Sequence, residues 1–116
     1  MIHDFSKVEA ALRILRAYFA PSRLVAAHSL CPKAKVYLKL ESELPTGSFK
    51  VRGAVYALLL RQGTSPITEV VASSTGNHGA AVAYAATLVG IQARIFSSQQ
   101  SECTQAEKRR RSGRQY

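Results

Sequence analysis

The chain of 116 residues has the length of one ordinary domain. Its composition, 47% hydrophobic and 20% charged, excludes collagen-like, coiled-coil and disulfide-scaffold organisations. The 16 basic against 7 acidic residues give a net charge of +9, enough to attract anions without selectivity; the densest basic run, residues 108–111, is interleaved with no aromatic residue, so a nucleic-acid platform is not indicated.

Ser6 followed by Glu9 is a capping-box pattern. Val8, Leu12, Leu15 and Phe19 recur at helical spacing, which predicts an amphipathic helix that stops before Pro21. Residues 36–41 alternate as a strand, and Pro45, Thr46 and Gly47 form a turn. Ser48 is placed to cap a second helix, whose stripe of Val51, Ala54, Val55 and Leu58 ends at Gly63. Residues 70–73 read as a short buried strand, residues 77–89 as an alanine-rich helix closed by Gly90, and residues 92–96 as a third strand. Strand, helix, strand, helix, strand is the order that builds a parallel sheet.

The pattern changes at Ser97. Residues 97–101 are polar and patternless, and a helix over 104–112 would have no apolar stripe to bury. The division expected is therefore 1–96 as the folded part and 97–116 as a basic polar tail, read as frame-shifted or degenerate. Cys31 and Cys103 make no disulfide framework, which predicts reduced thiols in a cytoplasmic chain. Asp4 and Glu9 stand where a signal peptide would need apolar residues, and no uncharged stretch is apolar for long enough to cross a bilayer. His3, His28 and His78 show no metal-ligand spacing, so no metal site is expected.

Two constellations carry chemistry. In Pro45-Thr46-Gly47-Ser48-Phe49-Lys50, the lysine falls in the first turn of a helix, where the macrodipole disfavours a cation, and between the apolar Phe49 and Val51. Both effects lower a lysine pKa, as an amine nucleophile requires; the alternative is a lysine that reaches into solvent beside a turn. In Ser73-Ser74-Thr75-Gly76-Asn77-His78-Gly79, a strand ends and a helix opens, so backbone N–H groups and hydroxyls converge on a place suited to a carboxylate or phosphate. Gly76 and Gly79 would let a ligand approach the backbone. An ordinary helix cap, with His78 packed or capping, is the other reading. No P-loop, GxGxxG fingerprint, nucleophile elbow or carboxylate pair is present.

Taken together, PTGSFKVRGA at 45–54 and SSTGNHG at 73–79, with VYLKLE at 36–41 leading into the first, resemble the fold-type II pyridoxal-phosphate enzymes, in their threonine/serine dehydratase and serine racemase branch. The resemblance covers residues 5–96. It implies an α/β class: a three-layer, parallel-sheet fold of the tryptophan-synthase-beta-like type, truncated here. It implies pyridoxal 5′-phosphate as cofactor, with Lys50 matching the lysine that forms the internal aldimine and moves the α-proton. Phe49 matches the residue beside the pyridine ring, and Asn77 the one that hydrogen-bonds the 3′-oxygen. Ser74, Thr75, Gly76, Asn77 and His78 match the loop that grips the carboxylate of an amino acid substrate. Thr75 departs from the serine found in many racemase-like members, which favours elimination over racemisation. The activity implied is conversion of threonine or serine to a 2-oxo acid and ammonia. No glycine-rich phosphate loop follows residue 96, so the chain is expected to be an impaired N-terminal fragment. The rival expectation is a non-catalytic module that self-associates or pairs with a full-length relative.

Overall fold

The computed structural model describes residues 5–97. His3, Cys103, the basic run and the helix expected over 104–112 lie outside them.

Helix α1, Ser6–Leu15, is shorter than its apolar spacing predicts. Its first bond runs from the Glu9 N–H to the Phe5 carbonyl, so Phe5 holds the cap position and Ser6 lies one residue inside the helix. At the other end the bonds tighten: Ala17 and Tyr18 donate to carbonyls three residues back, to Ile14 and Leu15. That winding turns Phe19 into the core beside Leu15 and leaves Val8 and Leu12 exposed.

Strand β1, Leu24–Ala26, pairs antiparallel with β2, Tyr37–Lys39, in the register Leu24 to Lys39, Val25 to Leu38 and Ala26 to Tyr37. This corrects one expectation. The strand predicted over 36–41 is three residues long and does not join the parallel sheet; its partner is a strand too short for alternation to reveal. The parallel sheet among the described residues consists of β3, Glu69–Ser73, and β4, Gln92–Phe96, paired from Glu69–Gln92 to Ser73–Phe96.

Helices α2, Lys50–Thr64, and α3, Asn77–Val89, pack against each other and form most of the core. The stripe expected on α2 is the one buried: Val51 and Val55 have no exposed surface, and Leu58 is nearly closed. Opposite them, Ala81, Ala85 and Ala86 are buried on α3. Side chains this small let the two backbones approach closely. Helix α3 ends as its sequence predicts. Gly90 takes a left-handed conformation (φ 75°), and the Ile91 N–H reaches back to the Ala86 carbonyl at 3.0 Å, closing the C-terminal motif that glycine favours. Helices joined to a parallel strand pair are the α/β class expected from sequence. No helix among the described residues is long and apolar enough to cross a membrane.

Candidate active site

The chain enters α2 through a tight reversal. Thr46 and Gly47 are both left-handed (φ 73° and 67°), and the Gly47 N–H closes the turn on the Leu44 carbonyl at 2.8 Å. Glycine adopts such a backbone freely, but a β-branched threonine does so at a cost on the order of 1–3 kcal/mol. The Thr46 hydroxyl oxygen is also buried without a hydrogen-bond partner. Sequence reading missed this strain, because a Pro-Thr-Gly turn can be built without a left-handed threonine.

Ser48 is buried, and its Oγ accepts the Lys50 N–H at 3.3 Å. It thus tethers the start of the helix as a capping serine should, although α2 begins at Lys50 with Phe49 in the cap position. Lys50 is exposed. Val51 turns away into the core and Phe49 is 62% exposed, so the described residues do not supply the desolvation expected from these two sequence neighbours.

The second constellation lies where predicted, between β3 and α3. The Ser74 N–H bonds the Phe96 carbonyl at 2.9 Å, which fixes the end of β3 against β4, and Ser74 Oγ accepts the Gly76 N–H at 3.3 Å. The first bond of α3 runs from Ala80 to Gly76. The amides of residues 77–79 precede it and have no acceptor within the helix. Thr75, Gly76, Asn77 and His78 are exposed and Ser74 is half-buried. His78 is therefore not a packed histidine.

The two glycines of this loop differ. A side chain at Gly76 would meet open space, as expected for a backbone that a ligand can approach. At Gly79 a Cβ would lie 2.9 Å from Ile95 Cγ2 and 3.1 Å from the Ser74 carbonyl oxygen. Gly79 is buried, and its missing side chain serves the packing of α3 on the sheet; the expectation of ligand approach there is corrected.

A groove of about 540 Å³ joins Phe49 and Lys50 of the first constellation to His78 of the second; Ser74, Thr75, Gly76 and Asn77 are not among its lining residues. Phe49, Lys50, Gly53 and Ala57 of the α2 side, Val71 of β3 and His78 of α3 are among its walls. Both helices therefore present their N-terminal turns to one groove, and the positive ends of two macrodipoles favour an anion there. Lys50, Gly53, Ala54 and Ala57 fall at helical spacing on one face, a signal that was readable in the sequence and that marks the groove floor. An exposed primary amine beside an apolar wall and an anion-favouring helix start suits a carbonyl compound that carries a negative charge. Among the described residues no group of His, Cys, Asp and Glu could hold a metal ion, and the Cys31 thiol is free.

Residues 15–115 match the family described as pyridoxal-phosphate dependent enzyme. The chain is 38% identical over 81 residues to the L-threonine ammonia-lyase of Thermotoga maritima, covering 70% of this chain and 20% of that one. It is 37% identical over 92 residues to the biosynthetic L-threonine dehydratase of Lactococcus lactis, covering 78% and 22%. Its structure superposes on that of maize serine racemase with a TM-score of 0.71 at 30% identity, over 97% of this chain and 35% of that one. The chain spans about a fifth of the length of the curated relatives it matches. With a match that runs from the end of α1 nearly to the last residue, the chain belongs to the family of pyridoxal-phosphate dependent enzymes.

Proposed function

We propose that this chain carries the lysine and the carboxylate loop for elimination from a hydroxy amino acid, threonine or serine, giving a 2-oxo acid and ammonia. The observation that carries the reading is the single groove shared by Phe49, Lys50 and His78. The names of the relatives, threonine ammonia-lyase and threonine dehydratase, support the substrate class.

The residues present fit the aldehyde and ring parts of pyridoxal phosphate. Lys50 offers an exposed amine and Phe49 an aromatic wall of the groove, and the exposed Asn77, next to the groove residue His78 in sequence, would offer an amide for the 3′-oxygen. When bound, the cofactor supplies an electron sink that acidifies the α-hydrogen of an amino acid. Lys50 Nζ accepts that proton. The loop of Ser74, Thr75, Gly76, Asn77 and His78 would hold the substrate carboxylate by the Asn77 and His78 amides and the Ser74 and Thr75 hydroxyls, which sets the Cα–H bond toward the lysine. Loss of the β-hydroxyl as water, then addition of water to the released aminoacrylate, gives the 2-oxo acid and ammonia. Thr75 keeps a hydroxyl but stands where many racemase-like members carry serine, so elimination is favoured over racemisation.

Within this reading residues 1–96 form the dehydratase-like unit and 97–116 a basic tail, and a cytoplasmic location agrees with the free Cys31 thiol. A second reading, pairing with a further copy or a longer relative, is favoured by β3 and β4 forming a sheet of only two strands among the described residues. Sedimentation decides it: a monomer at every concentration, alone and mixed with a full-length relative, removes this reading.

The test of the first reading is borohydride fixation of pyridoxal phosphate on the purified chain, mapped by peptide mass spectrometry beside Lys50→Ala. Label selective for Lys50, with 2-oxo acid released from serine or threonine and lost in the variant, is the expected result. Label scattered over the exposed lysines refutes it.

A further inference from the structure

We propose that Arg52 and Glu41 are positioning residues, whose ion pair fixes the rotation of α2 and so keeps Lys50 on the groove; this rests on the function proposed above.

Lys50 and Arg52 are two residues apart, about 200° around a helix, so fixing one direction fixes the other. Lys50 lines the groove with Gly53 and Ala57, whereas Arg52 faces the opposite side, toward the segments that precede α2. There its Nε donates to Glu41 Oε2 at 2.9 Å and its Nη2 to Oε1 at 3.4 Å. The guanidinium also lies 5.8 Å from the ring centroid of the buried Phe19. Glu41 is itself held: Ser22 Oγ donates to its Oε1 at 2.5 Å, Lys39 Nζ donates to Ser22 Oγ at 2.5 Å, and that ammonium lies 3.9 Å from the carboxylate. The Arg52 and Glu41 side chains are only 26% and 24% exposed.

This network ties three segments to one point on α2: the turn after α1 (Phe19, Ser22), the end of β2 (Lys39) and Glu41. Val51 and Val55 set how deeply the helix sits, but aliphatic packing is non-directional. A two-pronged guanidinium–carboxylate pair accepts little rotation. The turn that feeds α2 makes such a brace useful, because its left-handed Thr46 and orphaned hydroxyl place a strained reversal four residues before Lys50.

The experiment uses the whole 116-residue chain as wild type, Glu41→Gln, Arg52→Gln, the double variant and Arg52→Lys. Two quantities are read: the ratio of borohydride-fixed pyridoxal phosphate on Lys50 to that on the exposed Lys33 and Lys35, and amide exchange in residues 53–56 against 81–86. Each single substitution is expected to reduce both the Lys50 ratio and the protection of 53–56 by about tenfold, as loss of a hydrogen bond to a charged group implies. Residues 81–86 stay protected, and the double variant is no worse than either single one, because both remove the same pair. Arg52→Lys retains the charge and the stem over Phe19, so it folds, and it recovers the ratio only in part.

An unchanged Lys50 ratio in both single variants, with the pair broken, overturns the proposal. Equal loss of protection in 53–56 and 81–86 also overturns it, since the pair would then act on the whole fold. If wild type itself shows no selective label, the proposed function fails, and the exchange readings still decide whether the pair fixes α2.

Discussion

Helices α2 and α3 hold each other by shape, whereas the amino-terminal half is held to them by a few apolar side chains and a network of charge. Between the helices the contact is made of Val51, Val55, Ala81 and Ala85, none with exposed surface. In the other half Phe5, Val8, Leu24, Leu30 and Tyr37 are all more than half exposed, while Leu15, Phe19 and Leu44 reach the shared core. Besides those side chains and the Phe19–Tyr84 ring contact, the Arg52–Glu41–Ser22 network joins the halves. The groove belongs to the shape-packed half. The difference teaches that resistance to unfolding and aim of the lysine are set in different places: the first by close backbone approach, the second by a directional polar strut.

The largest blow to the shape-packed half is expected from Ala85→Leu. Ala85 sits between α2 and α3 with no exposed surface, so three added carbons must push the helices apart, at a cost of about 3 kcal/mol. The urea midpoint of the purified chain should fall sharply, and an unchanged midpoint would show the helix contact to be looser than described. Gly79→Ala comes next. The added methyl meets Ile95 at 2.9 Å and the Ser74 carbonyl at 3.1 Å. Replacing glycine inside a helix gains up to about 1 kcal/mol, and overpacking costs about 1–3 kcal/mol, so a net loss is expected. Because the Ser74 backbone is one of the two crowded groups, the change should also weaken retention of a carboxylate by the β3–α3 loop; stabilisation by the alanine would refute the close approach.

The shape-packed half was also the more legible one in the sequence. Helical spacing marked Val51, Val55 and Leu58, and Gly90 marked the end of α3, because burial with a 3.6-residue period and a left-handed cap leave local signatures. The lysine and the β3–α3 loop were read from helix starts and the family resemblance; Lys50 and His78 line one groove, and residues 74–77 are not among its walls. The charge-held half was harder to read. β1 has three residues, too few for alternation, so β2 was assigned to the wrong sheet. Glu41 and Arg52 are eleven residues apart on different elements, and no local pattern announces a pair of that kind. Gly79 was read as an opening for ligand because a glycine beside a polar loop looks the same in sequence whether it faces solvent or a strand.

Acid offers a way to loosen the charge-held half alone. Hydrogen bonds from Arg52 and then Ser22 hold the Glu41 carboxyl below its ordinary value of 4.5, against an opposing effect of burial. The folded state therefore binds this proton less readily than the unfolded chain. The contribution is fully present above pH 4.5 or so and is lost as pH falls through the lowered value. Amide protection at the start of α2 should decline over that range in wild type and be flat in Glu41→Gln, while residues 81–86 follow the same course in both. Parallel curves in the two proteins at the start of α2 would assign the acid sensitivity to another group.

The smallest effect sharpens the comparison most. Arg23 and Glu43 form a pair of the same chemistry on the same half, with both Nε and Nη2 donating to the carboxylate, and the Glu43 carboxyl is likewise held low by Arg23. Their side chains are 69% and 40% exposed, so water and salt screen the attraction, and the entropy lost in holding two long side chains offsets what remains. Glu43→Gln is therefore expected to leave both the urea midpoint and the protection of residues 53–56 unchanged, where Glu41→Gln moves the second. A Glu43 variant as damaging as the Glu41 variant would mean that charge count, not burial and attachment to α2, governs the aim of Lys50. Like chemistry at unequal burial makes these two carboxylates an internal control: they share the partner type and the half of the molecule, and differ in whether the arginine they grip belongs to the helix that bears the lysine.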